Sequence, residues 1–339
     1  MGSLPRGPLV KMGGHTVSYE DLVWAGISHG SWDALVRWSG EGVERDGKGS
    51  SSDGDVRRAA ESFRRQRKLE AGEDLRAWLD ARSITLSEWE SHLRRAVALG
   101  EATVPSRPAR LPAGFQDALR VDSFCRRFWE SEAERVLSWL AAAELVGEVA
   151  PDVTELDRLV EEAIKDATAE IDAGRIDGHR RRTTTLMAWR GAYEKLKAQI
   201  VDDPSMAETV AGHWLDWSIV SVESCRVPTE SAAREVISCA TEDGLQPQEI
   251  ADRARGAVEL RTVRAAEFGS GVAARMLSAP LNTPVGPVRD DDQWSVVWIR
   301  HREPPDPADP ALRMEVQAEL LAAAVKRQLI GREVWLGQV

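Results

Sequence analysis

Few residues in this chain have the type and spacing that chemistry needs. The six histidines stand at 15, 29, 92, 179, 213 and 301. No two are spaced i, i+4 and no H-E-x-x-H occurs, so neither a zinc site nor any other metal or cofactor is expected. His213 lies close enough in sequence to Cys225 for a Cys–His nucleophile to be imagined. A small buried cysteine beside an unrelated histidine is the preferred reading. "GGH" near the start and "GSGV" (269–272) are too short for a phosphate loop. "RDDDQ" (289–293) is acidic enough for a weak cation, but a turn before a strand explains it better. What remains is binding chemistry. The chain holds 13 Trp against two Tyr and five Phe. Tryptophan buries a large apolar area and keeps one N–H donor, so it serves both cores and peptide-binding surfaces.

Composition bounds the reading. At 339 residues, 42% apolar and 29% charged, the chain is a soluble globular protein with room for two or three domains. No apolar run approaches the ~18 residues of a membrane span, and the opening "MGSLPRGPLVKMGG" lacks the apolar segment of a secretory signal. Three cysteines, Cys125, Cys225 and Cys239, form no C-x-x-C pair and no disulfide framework. The cytoplasm is therefore the expected location. The net charge of −11 disfavours nucleic acid as a partner, since that affinity comes from neutralised phosphates. The basic run "HRRR" (179–182) is expected to be a solvated loop.

The elements that would position a site follow from periodicity. Residues 1–14 are expected to be loose. A helical stretch over "TVSYEDLVWAGISHGSWDALVRWSGEGV" offers Leu22, Leu35 and Trp38 to a core, and "ERDGKGSSSDGD" (44–55) is a flexible linker. A helix over 56–69 and a shorter one over 72–83 precede a third that starts at Thr85, where "TLSE" is a capping box. "EATVPSRPARLPAG" (101–114) is a second linker. Helices are predicted at 115–148, with Leu119, Phe124, Phe128, Trp129, Val136 and Leu140 at near-helical spacing, and at 153–171 and 184–200.

Beyond His213, "WLDWSIVSVE" (214–223) is strand-like, and "PTESAAREVISCATEDGL" is a helix with Gly244 at its end. A helix restarts at Pro247. "VELRTVRAAEF" is a short strand and turn, and "GVAARMLSAP" one more helix. In the strand Trp294 to Arg300, Trp294, Val296 and Trp298 face one way and Ser295, Val297 and Ile299 the other. Asp309 caps a long terminal helix, with Pro310 at its first position and Leu312, Val316, Leu320, Leu321 and Val325 as its stripe.

Two successions carry a resemblance. "VSYEDL", a linker, "DVRRAAESFRRQRKL", "LRAWLDARS" and "TLSEWESHLRRAV" closely resemble the N-terminal chaperone domain of SurA-like proteins over about residues 14–100. The region from His213 to "GPVRDDDQWSVVWIRHREPP" resembles a peptidyl-prolyl isomerase domain of the parvulin type. The resemblance implies an α+β chain: a mainly helical chaperone domain at 1–104, a middle helical region at 105–205, a degenerate parvulin-like domain at 206–305, and a C-terminal helix at 306–339 that packs back on the N-terminal domain.

It also allows a comparison by position. Where the family carries its two strand histidines, this chain has Ser218 and Ser295. Where the family has a Gly-Gly-Asp-Leu-Gly signature, "AVELRTV" (257–263) echoes only Glu259 and Leu260. The substrate pocket maps to Phe268, Val272 and Leu277, which are still apolar. Isomerisation must lower a barrier of ~18–20 kcal/mol about a C–N bond, and two serines do not reproduce a paired-histidine network. The expectation is a peptide-binding protein that is not an enzyme. The C-terminal run "ISCATEDGLQPQEIADRA…LSAP…PVGPV…DPADPALR…REVWLG" resembles peptide-binding proteins of crocagin-type pathways, which implies that the chain holds a precursor peptide, or presents it to a modifying enzyme, in the maturation of ribosomally made peptide natural products. Its candidate contacts are Trp217, Ser218, Phe268, Val272, Leu277, Trp294, Ser295 and Trp298. An atypical isomerase and a general holdase are the alternatives.

Overall fold

The computed structural model describes residues 4–46, 52–100, 111–165, 176–201, 205–254, 258–290 and 293–337. The chain divides into two compact units, Met1–Leu196 with Ala323–Val339, and Lys197–Ala322. It is α+β, with helices predominating and two small antiparallel sheets.

The first unit opens with strands β1 (Pro8–Met12) and β2 (His15–Ser18). Nine helices then follow in the described residues: α1 (Tyr19–His29), α2 (Ser31–Asp46), α3 (Asp53–Gln66), α4 (Gly72–Ala81), α5 (Leu86–Leu99), α6 (Phe115–Cys125), α7 (Phe128–Val146), α8 (Val153–Lys165) and α9 (Ile176–Val201), whose residues from Lys197 belong to the second unit. Two helix starts are written in the sequence as reciprocal caps. Thr85 Oγ1 accepts the Glu88 N–H at 3.2 Å while the Thr85 N–H donates to Glu88 Oε2 at 2.7 Å. Ser18 and Asp21 repeat the arrangement at α1. The helical stretch expected from Thr16 to Val43 begins only at Tyr19, because Thr16–Ser18 belong to β2, and it is broken at Gly30, whose φ of 86° ends α1. Leu22, Leu35 and Trp38 are buried as expected. Around them the aromatics pack edge to face, with Tyr19 and Trp129 at 5.2 Å between ring centres.

Two expectations fail locally. The start of the chain is not loose: Leu9, Val10 and Met12 of β1 are fully buried. β1 is the central strand of a three-stranded sheet, β2-β1-β7, whose last member is β7 (Glu333–Trp335). A strand this short carries little periodicity, and its partner β7 lies at the other end of the sequence. The basic run is not a loop, since Arg180, Arg181 and Arg182 lie on α9, though they are exposed. Arg180 pairs with Asp157 at 2.5 Å and Arg182 with Glu20. Of the two linkers, residues 47–51 and 101–110 lie outside the described residues.

Beneath the α2–α5–α6 contact lies a buried charge network. Asp122 is fully buried and accepts from His92 Nδ1 at 2.8 Å and from Arg95. Burial drives His92 below its ordinary value, outweighing the opposing pull of Asp122. Burial by itself would raise the Asp122 carboxyl, but the His92 hydrogen bond and the Arg95 charge hold it below the usual carboxylate range. With both groups depressed, the unfolded chain binds protons more readily than the folded one. Stability is then complete above the unfolded histidine value of about 6.5 and is lost as the pH falls towards the folded value. The midpoint of thermal unfolding of this unit should decline as pH is lowered from about 7 to 5. His92→Gln should flatten that decline, and an equally steep profile in the variant would show that His92 is not its source.

The second unit holds α10 (Ser205–Gly212), α11 (Trp214–Trp217), β3 (Ile219–Val227), α12 (Glu230–Thr241), α13 (Pro247–Ala254), β4 (Val258–Arg264), a 3-10 turn Ala265–Phe268, α14 (Ser270–Ser278), β5 (Pro284–Asp290) and β6 (Gln293–Glu303). Its sheet order is β4-β3-β6-β5. The strand expected at 214–223 is corrected: residues 214–217 are helical and the strand begins at Ile219. "LNTPVGPV" is more than a lead-in, because it supplies β5. Its prolines lack an N–H and suit the outer strand it forms.

Helix α15 (Pro310–Leu329) starts as expected, the Ala311 N–H donating to Asp309 Oδ1 at 3.0 Å. Leu312 and Val316 bury against Met206 and Val210 in the second unit. Residues from Ala323 belong to the first unit, where β7 pairs with β1 and the Leu336 N–H donates to the Leu9 carbonyl at 2.7 Å.

Candidate functional site

Strand pairing in the four-stranded sheet determines which candidate residues can meet. Val222 lies opposite Ile299, Ser224 opposite Val297 and Arg226 opposite Ser295, so these share one face. Glu223 lies opposite Trp298, Cys225 opposite Val296 and Val227 opposite Trp294, and these share the other. The first face is closed by α14 and the 3-10 turn: Val220, Val222, Val297 and Ile299 pack with Ala265, Ala273 and Met276. The second is closed by α12 and α13, where Val296 and Trp298 pack with Ala233, Val236, Ile250 and Ala251. The alternation along β6 is the one expected from its sequence.

The two serines do not form one site. Ser218 precedes Ile219, which pairs with Glu303, whereas Ser295 pairs with Arg226. The strand from Ile219 to Arg226 covers about 23 Å at ~3.3 Å per residue. Both serines are 1% exposed. The Ser218 hydroxyl is used locally, donating to the Trp214 carbonyl at 2.6 Å, and its own carbonyl accepts the Ala265 N–H at 2.9 Å. Ser218 therefore ties α11 to the 3-10 turn. The Ser295 hydroxyl is buried and meets no partner among the described residues.

Trp217, Phe268, Val272 and Leu277 behave differently. All four are only partly buried. Phe268, Val272 and Leu277 lie on the rim of the first-face core. Trp217 packs instead with Met206, Val210, Leu312 and Val316. Two arginines that the sequence did not single out cover Trp217 and Phe268 from the β4 side. The Arg264 guanidinium stands 4.9 Å from the centre of the Trp217 ring and also pairs with Glu315. That of Arg261 stands 5.8 Å from the Phe268 ring. The sequence signal for Arg261 was alternation in "VELRTVR", which puts it on the same face as Val263; alternation puts Arg264 on the other face and did not mark it. β4 itself is an outer strand, paired to β3 on one side, and Leu260 on it is 67% exposed. An outer strand presents backbone donors and acceptors to an added chain.

The remaining candidates are structural. Trp298 is 2% exposed within the second-face core, and Trp294 packs at its margin. His213 and Cys225 are not paired: His213 is exposed and bonds Asp216 at 3.2 Å. Cys225 is fully buried, and burial pushes its thiol up, away from the reactive thiolate. Part of "RDDDQ" lies outside the described residues. Among the described residues no group of three or more His, Cys, Asp and Glu is placed to hold a metal, and no helix is long and apolar enough to cross a membrane.

No protein-family model matches the chain, and no curated protein matches it. Among solved structures it is similar to the foldase protein PrsA from Streptococcus pneumoniae, at 11% identity and a TM-score of 0.27, over 94% of this chain and 87% of that one. It is also similar to a structure from a study of PEB4 and the periplasmic protein Cj1289, two SurA-like chaperones of Campylobacter jejuni. There the identity is 8% and the TM-score 0.19, over 62% of this chain and 88% of that one. Likenesses this distant assign no activity. They do require one correction: the expectation that the chain is not an enzyme is withdrawn, since one of the structures it is similar to is named a foldase.

Proposed function

We propose that the chain is a peptide-binding, chaperone-like protein that holds an extended segment of another chain along β4. The observation that carries this reading is the open outer strand beside the half-buried rim of Phe268, Val272 and Leu277. Added strands gain affinity from main-chain hydrogen bonds and selectivity from pockets that receive alternate side chains. Here Phe268 with Arg261 would receive side chains on one face of the added strand, and exposed Leu260 those on the other. The occupant we propose is a precursor peptide of a ribosomally made natural product, with its modifying enzyme as a second partner. This rests on the resemblance carried by the C-terminal run of the sequence. The compartment we propose is the cytoplasm, supported by three cysteines that are all free.

The test is a titration of a labelled precursor peptide, and of a scrambled version, against wild type, Phe268→Ala and Leu277→Ala. Each variant is first checked for an unchanged fold. Loss of a half-buried aromatic contact should weaken precursor binding about tenfold. Wild-type affinity in both folded variants would remove the rim from the binding surface. Equal affinity for the scrambled peptide would favour a general holdase. The rate of X–Pro exchange in the bound peptide, compared with the uncatalysed ~10–100 s, shows whether binding is accompanied by isomerisation.

A further inference from the structure

The helical unit contains a cavity of about 410 Å³ between α3, α5 and the junction of α6 with α7. Its floor is apolar, with Phe63 from α3 and Leu93 and Ala96 from α5. Three consecutive or facing cations border it: Arg67, Arg126 and Arg127. No Asp or Glu is among its lining residues. In a chain of net charge −11, a cavity whose charged lining residues are all arginines runs against the overall sign.

The three arginines are not equivalent. Arg67 is spent on structure: it donates to the carbonyls of Phe124 and Cys125 at 3.0 and 2.9 Å and approaches Glu130 at 3.5 Å. Arg127 is held by Glu130, on a backbone with φ of 60°. Arg126 is exposed, stands over the Trp38 ring at 4.4 Å, and has no carboxylate within ion-pair distance among the described residues. Its guanidinium is attracted by the Asp122 carboxylate from beyond ion-pair distance and borders the pocket with no ion pair of its own among the described residues.

We infer that this cavity is a second binding site, separate from the β4 rim, for a peptide segment that carries a carboxylate beside a large apolar side chain. The side chain would enter between α3 and α5, and the carboxylate would be taken by Arg126 in the paired geometry that guanidinium and carboxylate share. The volume lies within the range of clefts that hold small ligands, and it accommodates one large side chain with its flanking backbone. Polyanions such as nucleic acid are opposed by the chain's own negative charge. A peptide with one or two carboxylates pays little of that repulsion and uses both the apolar and the cationic part of the site.

Fluorescence anisotropy with the full chain tests this. The probes are a fluorescein-labelled heptapeptide of Leu, Phe and Glu residues and its counterpart with Lys in place of Glu. The acidic peptide should bind at least about tenfold more tightly, with affinity falling as salt is raised. Arg126→Gln should weaken it about tenfold, as should Ala96→Trp, which fills the pocket without changing charge. The second variant keeps the test valid should loss of the Arg126–Trp38 contact unfold the first. Phe268→Ala, at the β4 rim, should leave this binding unchanged. Equal affinity for both peptides would overturn the proposal. So would wild-type affinity in folded Ala96→Trp, loss of binding in Phe268→Ala instead, or displacement by millimolar inorganic phosphate but not by unlabelled acidic peptide.

Discussion

Asp122→Ala is expected to destabilise the helical unit by about 3–5 kcal/mol, enough to unfold many domains of this size. Asp122 is fully buried and is the counter-charge of Arg95, itself 5% exposed, as well as the acceptor for His92. Removing the carboxylate leaves a guanidinium in the interior with no anion, and a buried charge without a partner costs far more than the pair contributes when intact. Chemical unfolding followed by tryptophan emission measures this, since the Trp38 ring lies 5.5 Å from that of His92. Replacing Asp122 and Arg95 together by apolar residues should recover much of the loss. A single-variant cost below about 1 kcal/mol would show that water reaches the site and screens Arg95.

Trp298→Ala is expected to cost the second unit about 3–5 kcal/mol, the ordinary range for deleting a large aromatic from a core. Its ring is packed between β6 and helices α12 and α13, on the face of the sheet opposite to Phe268 and Val272. If Trp298 were instead a peptide contact, its removal would lower affinity with little loss of stability. Denaturant unfolding and peptide titration on the same variant separate the two. A large stability loss with unchanged affinity in the remaining folded protein is the result the packing requires.

The helical half of the molecule was largely legible. Capping residues act within one turn, so Thr85–Glu88 and Asp309–Pro310 mark helix starts that no tertiary contact is needed to explain. The inward residues of α6 and α7, such as Leu119, Phe124, Trp129 and Leu140, are buried where their spacing put them. The buried Asp122 was not legible, because an aspartate on a helix reads as a solvated face until a histidine and an arginine from α5 are brought to it. The same holds for the arginine-bordered cavity, whose walls come from separate helices.

By itself the sequence determined the periodic properties of this protein: its helices, the two-faced alternation of Trp294 to Ile299, and the apolar character of Phe268, Val272 and Leu277. Those depend on neighbours within a few residues. The tertiary structure alone decided what depends on register and on distant pairing. It made residues 8–12 a central strand by supplying β7 from the far end of the chain. It set Ser218 and Ser295 at opposite ends of a paired strand, because antiparallel pairing places residues by their partners and not by their motif. It also left β4 as an outer strand beside the rim. A strand's position in a sheet is fixed by hydrogen bonds to residues remote in sequence, and no local pattern of side chains encodes it.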